Sequence, residues 1–161
     1  MWPDKEKILI VSFNQHFLSE FNTELSSHFE IQRANSEQVA FFLIREANIR
    51  LVIVDFDTPI GNVVQTLRKS FGYAIALIGC GQATKSVVES AFRAGCDYYD
   101  TRDIANAAKL KFTLFGLKKR LDRTQAINQR QTETRKDTRS KVSLGPIEVF
   151  PNDYLVQCNG D

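Results

Sequence analysis

The chain holds no apolar run approaching the ~20 residues of a membrane span. Its opening residues, MWPDKEK, are charged and lead straight into a strand-like segment, so they are not expected to be a secretory signal. Cysteine is scarce: Cys80, Cys96 and Cys158 are odd in number and far apart. They fit neither a disulfide framework nor a metal-ligand spacing, so they read as small buried hydrophobes in a reducing compartment. A cytoplasmic protein with no membrane partner is expected. Neither sign of charge dominates, since the net is +2, but the distribution is uneven. Residues 117–141 carry nine Lys/Arg against three Asp/Glu, a net of +6 that leaves −4 for the rest.

What is present is an ordinary globular composition, 43% hydrophobic and 25% charged, in 161 residues. That length allows one domain of common size plus a fragment. The organising stretch is LVIVDFDTPIG at 51–61. Four apolar residues run into Asp55, then Asp57, then a proline and a glycine. Such a run reads as a strand buried on both faces. Pro59 cannot donate to a ladder and so marks its exit. Asp55 is thereby placed at the carboxyl end of a central strand, where open α/β sheets hold their ligands.

Further elements follow the same grammar. Lys7–Val11 is a first strand, and Asn14 is placed to cap a helix carrying Phe17, Leu18, Phe21, Leu25 and Phe29. Glu30–Ala34 is a short second strand, and Ser36 caps a helix through Val39, Phe42, Leu43 and Glu46. Asn62–Phe71 forms a helix that Gly72 ends. Ala74–Ile78 is a fourth strand stopped by Gly79-Cys80-Gly81, Ser86–Ala94 a helix, and Tyr98-Tyr99 a fifth strand. The last helix runs from Ile104 to about Leu121. Strands alternating with helices give an α/β fold, a doubly wound five-stranded parallel sheet.

Three features lie outside that core. The apolar residues of the last helix, Leu110, Leu114 and Leu117 among them, spread over roughly 220° of its circumference, more than a core contact needs. A second buried contact such as a subunit interface is expected there, with Lys111 inside the arc. Residues 122–140 are polar and basic, nearly free of large apolar side chains, and read as a linker. Residues 141–161 read as a short antiparallel β segment with turns at Gly-Pro, Asn-Asp and Asn-Gly, too small for a core of its own.

Residues 5–121 resemble the receiver domain of two-component response regulators. ILIVSFN is similar to the receiver's first strand, LVIVDFDTP to its phosphoacceptor strand, and AGCDYYDTRD to the GADDY-x-x-KP segment. VSLGPIEVFPNDYLVQCNGD resembles the opening strands of the winged-helix effector in the OmpR/PhoB type. The resemblance implies a flavodoxin-like sheet of order 2-1-3-4-5, a receiver domain at 4–121, a linker at 122–140 and truncated effector strands at 141–161.

It also implies site roles, and here the chain departs from the family. Asp55 takes the phosphoacceptor position and Tyr99 that of the switch aromatic. The acidic pair that helps hold magnesium is replaced by Ser12 and Phe13, and the phosphoryl-binding Thr/Ser aligns with Gly79. The pairing lysine aligns with Arg102, and the proline after it with Asp103. Phosphoryl transfer to a carboxylate needs a divalent cation, which takes hard oxygen ligands. With those ligands gone, no metal or other cofactor, Mg²⁺ included, is expected. The reading is a degenerate, phosphorylation-independent receiver of a transcription regulator, not an enzyme. Arg102 is expected to pair with Asp55 or Asp57.

Family members of this type dimerise through helix 4, strand 5 and helix 5. A homodimer is therefore expected here through Asp97, Leu110, Leu114, Leu117, Lys118 and Arg120. DNA would be bound by the full-length effector and not by this chain. Two alternatives remain open. One is a pseudo-receiver sensing a small molecule or protein partner in the pocket of Ser12, Asp55, Gly79 and Arg102. The other is a haloacid dehalogenase-type phosphatase, since Asp55-Phe56-Asp57-Thr58 matches DxDxT. That chemistry would need an acidic magnesium-holding motif, for which Asp97 and Asp100 are the candidates.

Overall fold

Apolar residues crowd the first, third and fourth strands without alternating, because both faces of each strand are covered. In the computed structural model, which describes residues 5–58, 61–101, 107–137, 142–144, 147–150 and 155–158, five strands form one parallel sheet. They are β1 (Glu6–Val11), β2 (Phe29–Ala34), β3 (Leu51–Asp55), β4 (Ala76–Gly81) and β5 (Tyr98–Thr101), in the order β2-β1-β3-β4-β5. The helices α1 (Asn22–Ser26), α2 (Glu37–Glu46), α3 (Val63–Phe71), α4 (Lys85–Ala94) and α5 (Ala107–Asp137) alternate with them. The five-stranded doubly wound sheet and its order agree with the sequence reading.

Side chains two apart along a strand share a face, and the core divides accordingly. Ile8, Ile10, Ile53 and Ile78 pack with Phe17, Phe21, Leu110 and Leu114 on one side. Leu9, Val11, Val52 and Leu77 pack with Ala40, Ile44, Leu67 and Ala91 on the other. The described chain divides into two compact units, Met1–Leu121 and Asp122–Asp161. In the second, β6 (Val142–Leu144), β7 (Ile147–Phe150) and β8 (Leu155–Cys158) form an antiparallel sheet. The turns expected between and after these strands lie outside the described residues.

Several local readings are corrected. The first helix is not one long element. Asn14 Oδ1 accepts the His16 N–H at 2.9 Å, closing a local turn instead of capping a helix. Leu18 adopts φ 57°, a 3-10 turn follows at Ser19–Phe21, and Phe29 belongs to β2. The irregular path buries Phe17, Leu18 and Phe21 together, and the Arg33 guanidinium donates to the Phe17 carbonyl at 2.8 Å. On α2 the Ser36 cap forms as expected, accepting from Val39 N–H at 3.2 Å. Its core face is Ala40 and Ile44, while Val39 and Phe42 are exposed. β4 continues through Gly79-Cys80-Gly81, since a neighbour on each side supplies ladder partners.

Residues 122–137, read as a linker, continue α5 as helix. No Gly or Pro interrupts them, and Gln, Arg, Lys and Glu have good helix propensity. Helix formation here needs no apolar burial within the segment, because elongation of an existing helix avoids the nucleation cost.

Arg68 on α3 ties the sheet to its helices. Its guanidinium donates to the carbonyls of Gly72, Ile75 and Gly95 and to Asp97 Oδ2, the last at 2.7 Å. Asp97 Oδ2 also accepts Leu77 N–H at 2.8 Å, and its Oδ1 pairs with Arg120 at 3.2 Å.

Candidate functional site

The carboxyl end of β3 brings Asp55 into the sheet interior, 2% exposed. Its carboxylate accepts four neutral donors among the described residues. Oδ2 receives the Ser12 hydroxyl at 2.5 Å and the Thr58 hydroxyl at 2.7 Å. Oδ1 receives the Asp57 N–H at 2.8 Å and the Thr58 N–H at 3.4 Å. A carboxylate offers about four acceptor positions, and three of these contacts are short while the Thr58 N–H is a long fourth. Ser12, directly after β1, in turn accepts the Asn14 N–H at 2.9 Å. The replacement at position 12 is therefore a donor aimed at Asp55, a role the sequence reading did not assign. Phe13 turns outward and is 56% exposed.

Asp57 does not share a strand face with Asp55. β3 ends at Asp55, and Asp57 lies in the following loop, its Oδ1 accepting Gln82 N–H at 2.8 Å. Tyr99 donates its hydroxyl to the carbonyl of the same Gln82 at 2.7 Å. Burial first, then nearby anionic groups including Asp57, push the Tyr99 hydroxyl above its ordinary value, so it remains a donor. Its ring meets Phe56 edge-on, with centroids 5.9 Å apart.

Gly79 is placed on the opposite face from Asp55. A Cβ there would lie 2.7 Å from Tyr99 Cδ2 and 3.1 Å from Phe56 Cε2. The missing side chain does not enlarge a pocket at Asp55, because aromatic rings take up its space. The β4 residue level with Asp55 is Cys80, buried and grouped with Ile53 and Ile78. A hydroxyl meant to reach a group on Asp55 would have to stand at position 80. A one-residue shift in strand alignment hid this, and a shift of one residue exchanges the two faces of a strand. Arg102 and Asp103, and with them the expected Arg102 ion pair, lie outside the described residues.

A cleft of about 230 Å³ lies on the α3 side of Asp55, lined by Asp55, Phe56, Thr58, Asn62, Val64 and Ala94 among others. Ser12, Phe13, Asp57 and Gly79 do not line it. Among the described residues no group of three or more His, Cys, Asp or Glu side chains is placed to hold a metal ion. No helix among them is long and apolar enough to cross a membrane.

The expected dimer face is also redrawn. Leu110 and Leu114 are 1% and 0% exposed and belong to the core, because α5 turns this stripe onto the sheet. Leu117 is half-buried against the same cluster. Asp97 is held by Arg68 and Arg120, and Lys118 pairs with Glu6 at 3.6 Å. The exposed apolar side chains of this region are Phe92 on α4 and Phe112 and Phe115 on α5.

No family model matches the chain, and no curated sequence matches it. Its fold is that of solved receiver domains. It resembles the signal receiver domain of an HD domain-containing protein from Pseudomonas fluorescens Pf-5, with TM-score 0.65 and 16% identity over 78% of this chain and 96% of that one. A CheY-like response regulator receiver domain protein from Methanospirillum hungatei JF-1 gives TM-score 0.58 and 20% identity, covering 73% and 99%. A response regulator receiver modulated diguanylate cyclase from Pelobacter carbinolicus gives 0.62 and 22%, covering 75% and 98%.

Proposed function

Proceeding from a response-regulator receiver fold, we propose that this chain is a phosphorylation-independent regulatory and dimerisation module of a transcription regulator. The observation that carries the proposal is the Asp55 carboxylate with its donors. Ser12 and Thr58 hydroxyls both donate to Oδ2, so a cation or phosphoryl group approaching that oxygen meets two donors already in place. A cation brought there would displace donors that the buried carboxylate already holds, and among the described residues no group of three or more Asp, Glu, His or Cys side chains is placed to receive it.

Dimerisation uses the α4, β5 and α5 surface, with Phe92 as its exposed apolar element and Lys118 and Arg120 at its rim. DNA contact belongs to a winged-helix effector, whose strands residues 141–161 resemble, and not to the receiver fold. Sedimentation analysis with and without a small-molecule phosphodonor and Mg²⁺ tests the module. The expected result is the same dimer in both. A monomer at high micromolar concentration, or a dimer formed only with the phosphodonor, overturns it.

Phosphatase chemistry is disfavoured by the same geometry. Asp57, the acid/base of a DxDxT reading, is committed to Gln82. Of the candidate magnesium holders, Asp97 is engaged by Arg68 and Arg120, while Asp100 gives Oδ1 to Lys109 and the Thr101 N–H and keeps a buried Oδ2 without a hydrogen-bond partner among the described residues. Hydrolysis of p-nitrophenyl phosphate that Asp55→Asn abolishes would reverse this. A second reading, sensing of a small molecule or protein partner beside Asp55, is favoured by the cleft. Its volume is below the ~300 Å³ of ordinary ligand pockets, so only a small ligand fits. A thermal-shift screen of metabolites tests it.

A further inference from the structure

The polar contacts along the carboxyl edge of the sheet join into one continuous series. Asn14 N–H donates to Ser12 Oγ at 2.9 Å, and the Ser12 hydroxyl donates to Asp55 Oδ2 at 2.5 Å. Asp55 Oδ1 accepts the Asp57 N–H at 2.8 Å, and Asp57 Oδ1 accepts the Gln82 N–H at 2.8 Å. The Gln82 carbonyl then accepts the Tyr99 hydroxyl at 2.7 Å. Five links cross from the loop after β1, over the end of β3, to the loop before α4 and on to β5.

We infer that this relay is a latch: Asp57 and Tyr99 grip both backbone polar groups of Gln82, and Ser12 sets the grip from across the sheet. Gln82 is the first residue after β4, two before the Thr84 that opens α4. Fixing its N–H and C=O together leaves the peptide groups around it little freedom to rotate. Two glycines make the latch possible. A Cβ at Gly81 would stand 2.8 Å from Asp57 Oδ1 and 3.0 Å from the Tyr99 hydroxyl. A Cβ at Gly79 would strike the Tyr99 ring itself.

The coupling to Ser12 has a physical route. The Asp57 backbone, whose side chain holds Gln82, is anchored by its own N–H to the Asp55 carboxylate that Ser12 orients. Loss of the Ser12 donor leaves Oδ2 with the Thr58 hydroxyl as its one remaining hydrogen bond among the described residues, so the carboxylate is held less firmly and the Asp57 loop with it. The Ser12–Asp55 link is buried, where a hydrogen bond is strongest, and the links onward to Gln82 and Tyr99 run out to the surface. The start of α4 is therefore preset, and a partner touching the loop before α4 meets one surface and not an ensemble.

Native-state amide exchange at Gln82 in the full chain tests the latch, and it reads out separately from any phosphoryl adduct on Asp55. In the wild type the Gln82 amide is protected. Asp57→Ala removes its acceptor and speeds its exchange about tenfold or more. Tyr99→Phe and Ser12→Ala, neither of which touches that N–H, each speed it several-fold, while Ser27→Ala on the remote exposed surface leaves it unchanged. An unprotected Gln82 amide in the wild type overturns the inference. So does a response to Asp57→Ala alone, which would show a local bond and no relay. Should Ser12→Ala fail to fold, Ser12→Thr keeps the hydroxyl and must keep Gln82 protection within about twofold while Tyr99→Phe loses it.

Discussion

Ser12 Oγ and Asp55 Oδ2 are 2.5 Å apart, joined by a buried hydrogen bond between the end of β1 and the end of β3. The hydroxyl donates to Asp55 at a position where a second carboxylate would repel it.

Removing that donor leaves a buried carboxylate oxygen short of a partner. Ser12→Ala is expected to destabilise the fold by about 1–3 kcal/mol, measured as a shift in the urea midpoint at unchanged slope. Ser12→Thr retains the donor and is expected to lose less.

Adding a side chain at position 79 tests the packing around Tyr99. The added carbon of Gly79→Ala would meet Tyr99 Cδ2 at 2.7 Å, an overpacking that costs about 1–3 kcal/mol. Gly79→Thr is expected to cost more. Combining either with Tyr99→Ala removes the closer of the two ring contacts and leaves Phe56 at 3.1 Å, and a double-mutant cycle in urea unfolding reads the coupling.

Arg68 makes five hydrogen bonds from a side chain only 14% exposed, one of them to Asp97, which is 8% exposed. Arg68→Met takes the donor from three carbonyls and one partner from Asp97, which keeps the Leu77 N–H and Arg120, and a loss of about 1–3 kcal/mol is expected. Lysine cannot reproduce the fork, so Arg68→Lys should recover only part of it.

Glu24 and Lys111 join α1 to α5, and the Lys111 hydrogen bond and charge hold the Glu24 carboxyl below its usual 4.5. A depressed folded-state value means the contribution is present above 4.5 and lost as pH falls through the folded value. The stability gap between wild type and Lys111→Met should therefore be present at pH 7 and close on acidification below 4.5, followed by urea midpoints across that range.

The sheet was legible because ILIV, LVIV and ALI are apolar on both faces, a pattern only a covered parallel strand explains. Asp55 was legible from the break in that pattern. The partners of Asp55 were not, since the Ser12 donor and the Gln82 latch are contacts between residues 43 and 25 positions apart. Position 79 was misjudged because glycines at 79 and 81 resemble a strand end, whereas they accommodate Tyr99 and Asp57 within β4. The leucines of α5 were misassigned to an outer face because a helical arc gives the width of an apolar surface but not which edge of it meets the sheet.

The central claim is that Asp55 no longer accepts a phosphoryl group. Intact mass after incubation with a small-molecule phosphodonor and Mg²⁺ tests it most directly. The account predicts an unchanged mass. A stoichiometric phosphoryl adduct that disappears in Asp55→Ala would contradict it.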